Sequence, residues 1–169
     1  MERREMLVLL ASAATAAPAA VDIASYKPRF FTPAEYKTID LLTELLIPND
    51  GTPGAHETGV RYYIDTVLHF GDEAAKRAWR TGLAEIDAQA RATFGKAFSE
   101  CAPAEQRKFM AAWFEDEDVP VTPLERFIRP FKLLTVEAYA HAEAAQREYF
   151  GYRGNRALHT FPGCQEDHG

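Results

Sequence analysis

The sequence twice contains the same four-residue signature for the start of a helix. Thr32-Pro33-Ala34-Glu35 and Thr122-Pro123-Leu124-Glu125 each place a hydroxyl at the N-cap, then a proline, and a glutamate three residues after the cap. In such a capping box the hydroxyl and the carboxylate satisfy backbone N–H groups that the first turn leaves unpaired. Both signatures lead into apolar residues at spacings of three and four, so each predicts a helix with one buried face.

Five segments carry this helical spacing, and no run shows the alternation typical of a strand. Pro130 is expected to kink or divide the fifth helix, because proline removes a backbone donor. The sequence therefore predicts an all-α fold, a compact bundle of about five to six helices over residues 25–148, with an irregular C-terminal tail over residues 149–169. The helices run from the Thr32 cap to Pro48, from about residue 60 to Gly71, over residues 73–94, from Pro103 onwards, and from the Thr122 cap to about residue 146.

The 169 residues are long enough for one domain with a real core. Hydrophobic residues make up 47% of the chain and aromatic residues 12%, which is typical of a globular protein. Apolar stripes at helical spacing are far more often core than cofactor site. The predicted core positions are Trp79, Leu83, Ile86, Ala90 and Phe94 on the third helix, and Met110, Trp113 and Phe114 on the fourth.

The net charge of −6 argues against a nucleic-acid-binding protein, which needs a basic face to neutralise phosphates. The acidic run at residues 115–118 is interpreted as a solvated loop. It lacks the alternating ligands and the central glycine of an EF-hand loop.

The first 24 residues have the anatomy of an export signal. Arg3 and Arg4 precede an apolar, alanine-rich stretch over residues 6–20, and two small-residue sites suit cleavage. The arginine pair resembles a twin-arginine signal, with Met6 where that motif usually has phenylalanine. The flanking glutamates weaken the match, and an ordinary secretory signal or an uncleaved anchor remains the alternative.

The known catalytic and cofactor motifs do not occur in the sequence. No histidine follows a glutamate at the spacing of a di-iron bundle, no Cys-x-x-Cys-His attaches haem, and no G-x-G-x-x-G follows a predicted strand. His56 lies in the glycine-rich loop at residues 49–58, and the sequence pairs no nucleophile or carboxylate with it. Glu137 and His141 are interpreted as a surface pair on one helix face. Neither a catalytic residue nor a metal ligand is predicted.

The composition of the tail differs sharply from that of the predicted helices before it. Glycines alternate with aromatic and polar residues over residues 149–155, and a Phe-Pro-Gly-Cys segment follows. These residue types favour interfaces, so the tail is predicted to dock on a partner. The alternative is that its aromatic residues strap the tail across the domain's own core. The predicted interface residues are Tyr149, Tyr152, Arg153, Gly154, Asn155, Phe161, Pro162 and Cys164.

The order and spacing of several short motifs resemble the small subunit of bacterial gluconate 2-dehydrogenase and of related flavin-dependent sugar dehydrogenases. The resemblance covers nearly everything after the leader. It rests on residues 30–35, 45–50, 53–60, 63–65, 135–139, 148–155 and 161–164.

This resemblance implies a small subunit without a cofactor of its own. Its partner would be a large FAD-dependent dehydrogenase subunit, and in many such complexes a cytochrome c carrying haem c passes the electrons on. The small subunit would stabilise the catalytic one and carry the export signal for both, which implies a periplasmic complex held at the inner membrane only through its other subunits or an uncleaved leader. Two alternatives remain open: a free-standing exported binding module, and an enzyme using His56 with acidic neighbours.

Only two cysteines occur, Cys101 and Cys164. Disulfides persist in exported proteins, so an internal bond between them is one alternative. The resemblance places a cysteine at the end of the tail and offers no match for Cys101. We therefore favour Cys164 as part of the contact with the large subunit.

Overall fold

The computed structural model describes residues 25–111 and 122–154, which contain helices and no strand. The predicted all-α fold is confirmed. Several predicted features lie outside the described residues: the leader, the acidic run, Trp113, Phe114 and the tail from Asn155 to Cys164. The described residues form five α-helices: α1 (Pro33–Leu46), α2 (Val60–Phe70), α3 (Glu73–Phe94), α4 (Pro103–Ala111) and α5 (Pro123–His141). A 3₁₀ turn (Phe98–Glu100) precedes α4, and a π-helical turn (Ala145–Tyr149) follows α5.

Both predicted capping boxes are formed. The Thr32 hydroxyl accepts the Glu35 N–H at 3.3 Å, and the Glu35 carboxylate accepts the Thr32 N–H at 2.8 Å. The same reciprocal pair joins Thr122 and Glu125 at 3.2 and 2.9 Å. The two signatures therefore set the first residues of α1 and α5 by local hydrogen bonding alone.

The centre of the core is the contact between α3 and α5. Trp79 packs edge-on against Phe127, with ring centroids 5.2 Å apart, and Phe131 is fully buried beside them. Gly82 allows this approach, because a Cβ built on it would lie 2.2 Å from Cγ of Phe127. The predicted stripe of α3 is buried at Trp79, Leu83, Ile86 and Ala90, while Phe94 is partly buried against the core.

Three features of the helices bear on the predictions. Of the two effects expected of Pro130, a division of α5 does not occur, because the helix is continuous through it. Pro130 and Arg126 both lie on the exposed side, so water can bond the carbonyl that loses its donor. Val67, expected on the inner face of α2, is 39% exposed. The stretch predicted to end near residue 146 as one helix breaks at Ala142 and resumes as the π-helical turn.

A buried carboxylate anchors the segment that leads into α1. Asp65 of α2 is fully buried and accepts four hydrogen bonds. No pattern in the sequence predicted a role for Asp65. Its donors are the Tyr26 hydroxyl at 2.5 Å and the backbone N–H groups of Arg29 at 2.8 Å, Phe30 at 3.1 Å and Phe31 at 2.9 Å.

Cys101 is a buried free thiol at the end of the 3₁₀ turn. Its Sγ lies 3.4 Å from the Ala97 carbonyl, to which it can donate, and burial raises the pKa of the thiol. Because Cys164 lies outside the described residues, its contact with the large subunit stays a prediction, with the bond to Cys101 as the alternative.

Gly82→Ala tests the close approach of α3 and α5. On an exposed helix face this change stabilises by about 1 kcal/mol. At Gly82 the added methyl group overlaps the Phe127 ring, so we expect a net destabilisation of about 2 kcal/mol. Urea unfolding measures the difference, with the exposed Thr81→Ala as the control, expected within about 0.5 kcal/mol of the parent protein. A more stable Gly82→Ala variant would contradict this packing.

Tyr26→Phe tests the Asp65 anchor. At pH 7 the variant should lose about 1–2 kcal/mol, since it removes a partly buried hydrogen bond to a charged carboxylate. Burial and then the bond to Asp65 raise the pKa of Tyr26 from 10.0 to about 12. The contribution of Tyr26 is therefore complete below pH 10 and falls as the pH rises towards 12.

The difference in unfolding free energy between the parent protein and Tyr26→Phe should accordingly shrink between pH 10 and pH 12. Tyr62→Phe is the matched control, because its ring packs 4.6 Å from Tyr26 while its hydroxyl does not bond Asp65. An equal loss in the two variants at pH 7 would show that the bond to Asp65 contributes nothing.

Candidate functional site

The predicted docking tail begins where α5 gives way to a wider turn. α5 ends at His141, and Ala145–Tyr149 forms a π-helical turn, a rare geometry that frequently lies at functional sites. Gly151 then takes a left-handed φ of 67°, which costs glycine little. The Tyr152 N–H returns to the Gln146 carbonyl at 2.8 Å. The first part of the tail is therefore held in a defined direction against the end of α5.

The aromatic side chains of this segment face outward. Tyr149 is 62% exposed, Phe150 53% and Tyr152 47%. Tyr149 touches the domain through an edge-on contact with Tyr139, with ring centroids 6.1 Å apart. More than half of the surface of Tyr149 and of Phe150 is exposed to solvent. These two side chains therefore do not pack the tail onto the core, which the alternative interpretation required of them.

A solvent-open groove of about 460 Å³ lies beside these rings. Its lining mixes an exposed ion pair, Glu143 with Arg147 at 2.8 Å, with the aromatic ring of Tyr152. Arg153 and Gly154 are exposed at its edge, and Gly154 has a φ of 88°. Four of the predicted interface residues thus lie close together beyond the end of α5: Tyr149, Tyr152, Arg153 and Gly154. The other four, Asn155, Phe161, Pro162 and Cys164, lie outside the described residues.

An apolar surface lies across α2 and α5 and was not predicted. The Tyr63 hydroxyl donates to the Glu137 carboxylate at 3.2 Å, and its ring stacks on His141 with centroids 5.8 Å apart. Burial and the neighbouring Glu137 raise the pKa of Tyr63. Glu137 and His141 thus contact Tyr63 instead of forming the predicted pair. Exposed apolar side chains within one turn of these contacts are Val67, Leu133 and Val136.

His56 has a carboxylate partner, Asp40, that the sequence did not reveal. Its Nδ1 lies 2.9 Å from Asp40 of α1 and 2.7 Å from Nη1 of Arg61, which also bonds Asp40. Burial lowers the pKa of Arg61, but the hydrogen bond to Asp40, the charge of Asp40 and the neighbouring Tyr36 together outweigh it, so the pKa of Arg61 is raised. Asp40 and His56 are 16 residues apart, a separation that no local pattern reveals.

This cluster holds a loop in place and does not resemble an acid–base dyad. The guanidinium of Arg61 neutralises Asp40, so the carboxylate is not available to polarise His56 alone. The rest of the loop is held in the same way, with Glu44 accepting the N–H groups of Asn49 at 3.2 Å and His56 at 2.9 Å. The Tyr139 hydroxyl donates to the Pro53 carbonyl at 2.8 Å, which ties the loop to α5.

Residues 25–111 and 122–154 contain no group of three His, Cys, Asp or Glu side chains placed to hold a metal ion. Over the same ranges, none of the helices has the length and apolar character needed to cross a bilayer. The exposed rings and charges described above are of the residue types that favour interfaces.

A family model for gluconate 2-dehydrogenase subunit 3 matches residues 33–156. The chain belongs to this family. The resemblance found in the sequence is thereby confirmed. No curated protein and no solved structure gives a significant match.

Membership in the gluconate 2-dehydrogenase subunit 3 family makes the chain a subunit of a dehydrogenase complex. The matched range begins with α1 and extends through the π-helical turn to the exposed residues Tyr149, Tyr152, Arg153 and Gly154. It also includes Asn155, whereas Phe161, Pro162 and Cys164 lie beyond it. The exposed residues Tyr149, Phe150 and Tyr152, here called the aromatic end of α5, therefore lie within the range that the family model matches.

Proposed function

We propose that this chain is the small, cofactor-free subunit of an exported FAD-dependent sugar or gluconate dehydrogenase complex. In this role it stabilises the large catalytic flavoprotein and carries the export signal for both. The observation that carries the proposal is the exposed aromatic end of α5, which lies within the range matched by the family model.

Exposing three neighbouring aromatic side chains to water is unfavourable, and burying them in an interface is favourable. Tyr149, Phe150 and Tyr152 can each bury a large apolar ring against a partner. Tyrosine and arginine are the residue types that most often dominate binding energy, and Arg153 adds the second type. Because the turn is already hydrogen-bonded, little conformational entropy is lost when the tail docks.

The residues of this chain do not fit a flavin. A dinucleotide site needs a strand that runs into a glycine turn and a helix N-terminus, and the described part of the chain contains no strand. The two grooves described for this molecule are open and lined mainly by charged side chains. In the proposed complex FAD belongs to the large subunit, and haem c, where used, to a cytochrome subunit.

The proposed location is the periplasm, reached by the twin-arginine route. That route carries folded cargo, so a large subunit without its own signal can travel with this one. The support is the Arg3-Arg4 pair before the apolar stretch. Attachment to the inner membrane would come through the other subunits or an uncleaved leader.

The docking role is tested by co-expression with the large FAD-dependent subunit of the proposed complex. We expect Tyr152→Ala with Arg153→Ala to weaken the complex by about 2 kcal/mol or more, the loss typical of interface anchors. Cys164→Ser tests the end of the tail in the same assay. The measurements are the dissociation constant, flavin absorbance of the purified complex and dye-linked sugar oxidation.

Arg107→Ala with Lys108→Ala, two exposed positions on α4, is the control and should leave the complex unchanged. The chain purified alone should show no flavin spectrum and no sugar oxidation. Stoichiometric flavin in the isolated chain would overturn the proposal. Failure to co-purify with any flavoprotein would favour the free-standing binding module.

The export role is tested by Arg3→Lys with Arg4→Lys. Lysine serves the ordinary secretory route nearly as well as arginine, whereas the twin-arginine route requires the arginines. We expect both subunits to remain in the cytoplasm, with periplasmic dehydrogenase activity lost. Glu5→Gln keeps the arginine pair and should export normally. Unchanged periplasmic activity in the lysine variant would show that export does not use this signal.

A further inference from the structure

A second groove, of about 270 Å³, is lined by cations in a chain whose net charge is −6. It lies between the anchored segment before α1, the end of α2 and the first two turns of α3. Glu73 is the one carboxylate in its lining. The basic side chains that line this basic groove are Arg29, His69, Lys76, Arg77 and Arg80.

Part of the basic groove is held in position by contacts that lie within the fold. Arg80 donates to the Phe30 carbonyl at 2.9 Å, and its guanidinium stacks over the Phe30 ring, 4.7 Å from the centroid. The backbone N–H of Arg29 is fixed by the buried Asp65. These contacts orient charges before any ligand arrives, which lowers the entropy lost on binding.

The positive charge of the groove is only partly neutralised. Lys76 pairs with Glu73 at 3.0 Å, and Arg80 lies 3.7 Å from Glu35. The exposed guanidinium groups of Arg29 and Arg77 form no ion pair or side-chain hydrogen bond with any described residue. Guanidinium groups bind carboxylates and phosphates through paired, parallel hydrogen bonds. The groove therefore suits an anionic ligand.

Its size and shape indicate which kind of anion fits. The cations come from three segments of the chain, and along α3 they extend for about 6 Å, from Lys76 to Arg80 at 1.5 Å per residue. A bilayer is flat and would meet only the rim of a concave groove. An extended peptide segment with several carboxylates can reach cations from all three segments and matches their charge.

We propose that the basic groove binds an acidic segment of the dehydrogenase subunit, as a second docking site beside the aromatic end of α5. This inference rests on the proposed function. The basic groove lies at the end of α2 that carries His69. Tyr63, near the other end of α2, stacks on His141 in the last turn of α5. The two docking sites therefore lie at opposite ends of α2, and a partner that contacts both would be held in one orientation.

The test is Arg29→Glu with Arg77→Glu, co-expressed with the dehydrogenase subunit. Neither side chain has a described partner to lose, so the fold should survive, which thermal unfolding checks. We expect the dissociation constant of the complex to rise by at least about tenfold, as charge pairs at interfaces commonly give. The dependence of binding on salt should also become weaker. The control is Arg107→Glu with Lys108→Glu, which changes the net charge equally on α4 and should leave affinity unchanged.

Three probes identify the ligand class: a glutamate-rich peptide, inorganic phosphate, and vesicles of phosphatidylglycerol with phosphatidylethanolamine. The proposal expects the peptide to bind the wild-type chain and not the double variant. Binding of the vesicles or of phosphate without binding of the peptide would overturn it. An intact wild-type complex with unchanged affinity in the double variant would overturn the basic groove alone, whereas no wild-type complex at all would overturn the proposed function as well.

Discussion

The fold depends on one buried charge, the carboxylate of Asp65. A carboxylate removed from water is costly unless hydrogen bonds replace its hydration. Here four donors from the segment before α1 do so, and three of them are backbone N–H groups. Satisfying Asp65 therefore requires that this segment cross α2. That path places Phe30 and Phe31 in the core, with Phe31 6.3 Å from Trp79 between ring centroids, and positions the first turn of α1.

The same anchor links the core to both candidate surfaces. Phe30, fixed by Asp65, offers its carbonyl and its ring to Arg80, so the buried charge also shapes the basic groove. On the other side, α5 packs on α3 through Phe127 and continues to Tyr139, which holds the loop at Pro53 and supports the ring of Tyr149. A rigid helix thus presents the aromatic tail. Groups that bind a partner are effective when the fold orients them in advance, and here the core supplies that orientation.

The division between core and surface separates the polar groups that stabilise this subunit from the groups that it leaves exposed. The polar cluster of Asp40, His56 and Arg61 resembles a catalytic set in composition, but its charges are mutually satisfied and it fastens a loop. By contrast, the rings of Tyr149, Phe150 and Tyr152 stay about half exposed to solvent. Recognition is thus located where the fold leaves apolar or charged groups exposed, and not where polar residues are most concentrated.

By itself the sequence determined the helices and the family. Both capping boxes, the glycine that ends α3 and the stripe from Trp79 to Ala90 are local signals, since each depends on residues within a few turns. Only the tertiary structure decided the role of Asp65, the pairing of His56 with Asp40, the continuity of α5 through Pro130 and the basic groove. The bond from Tyr139 to Pro53 spans 86 residues and that from Tyr26 to Asp65 spans 39. Such contacts depend on how the helices pack against one another. The spacing of apolar residues along the sequence predicts which face of a helix is buried, but it does not specify which polar side chains come together when the helices pack.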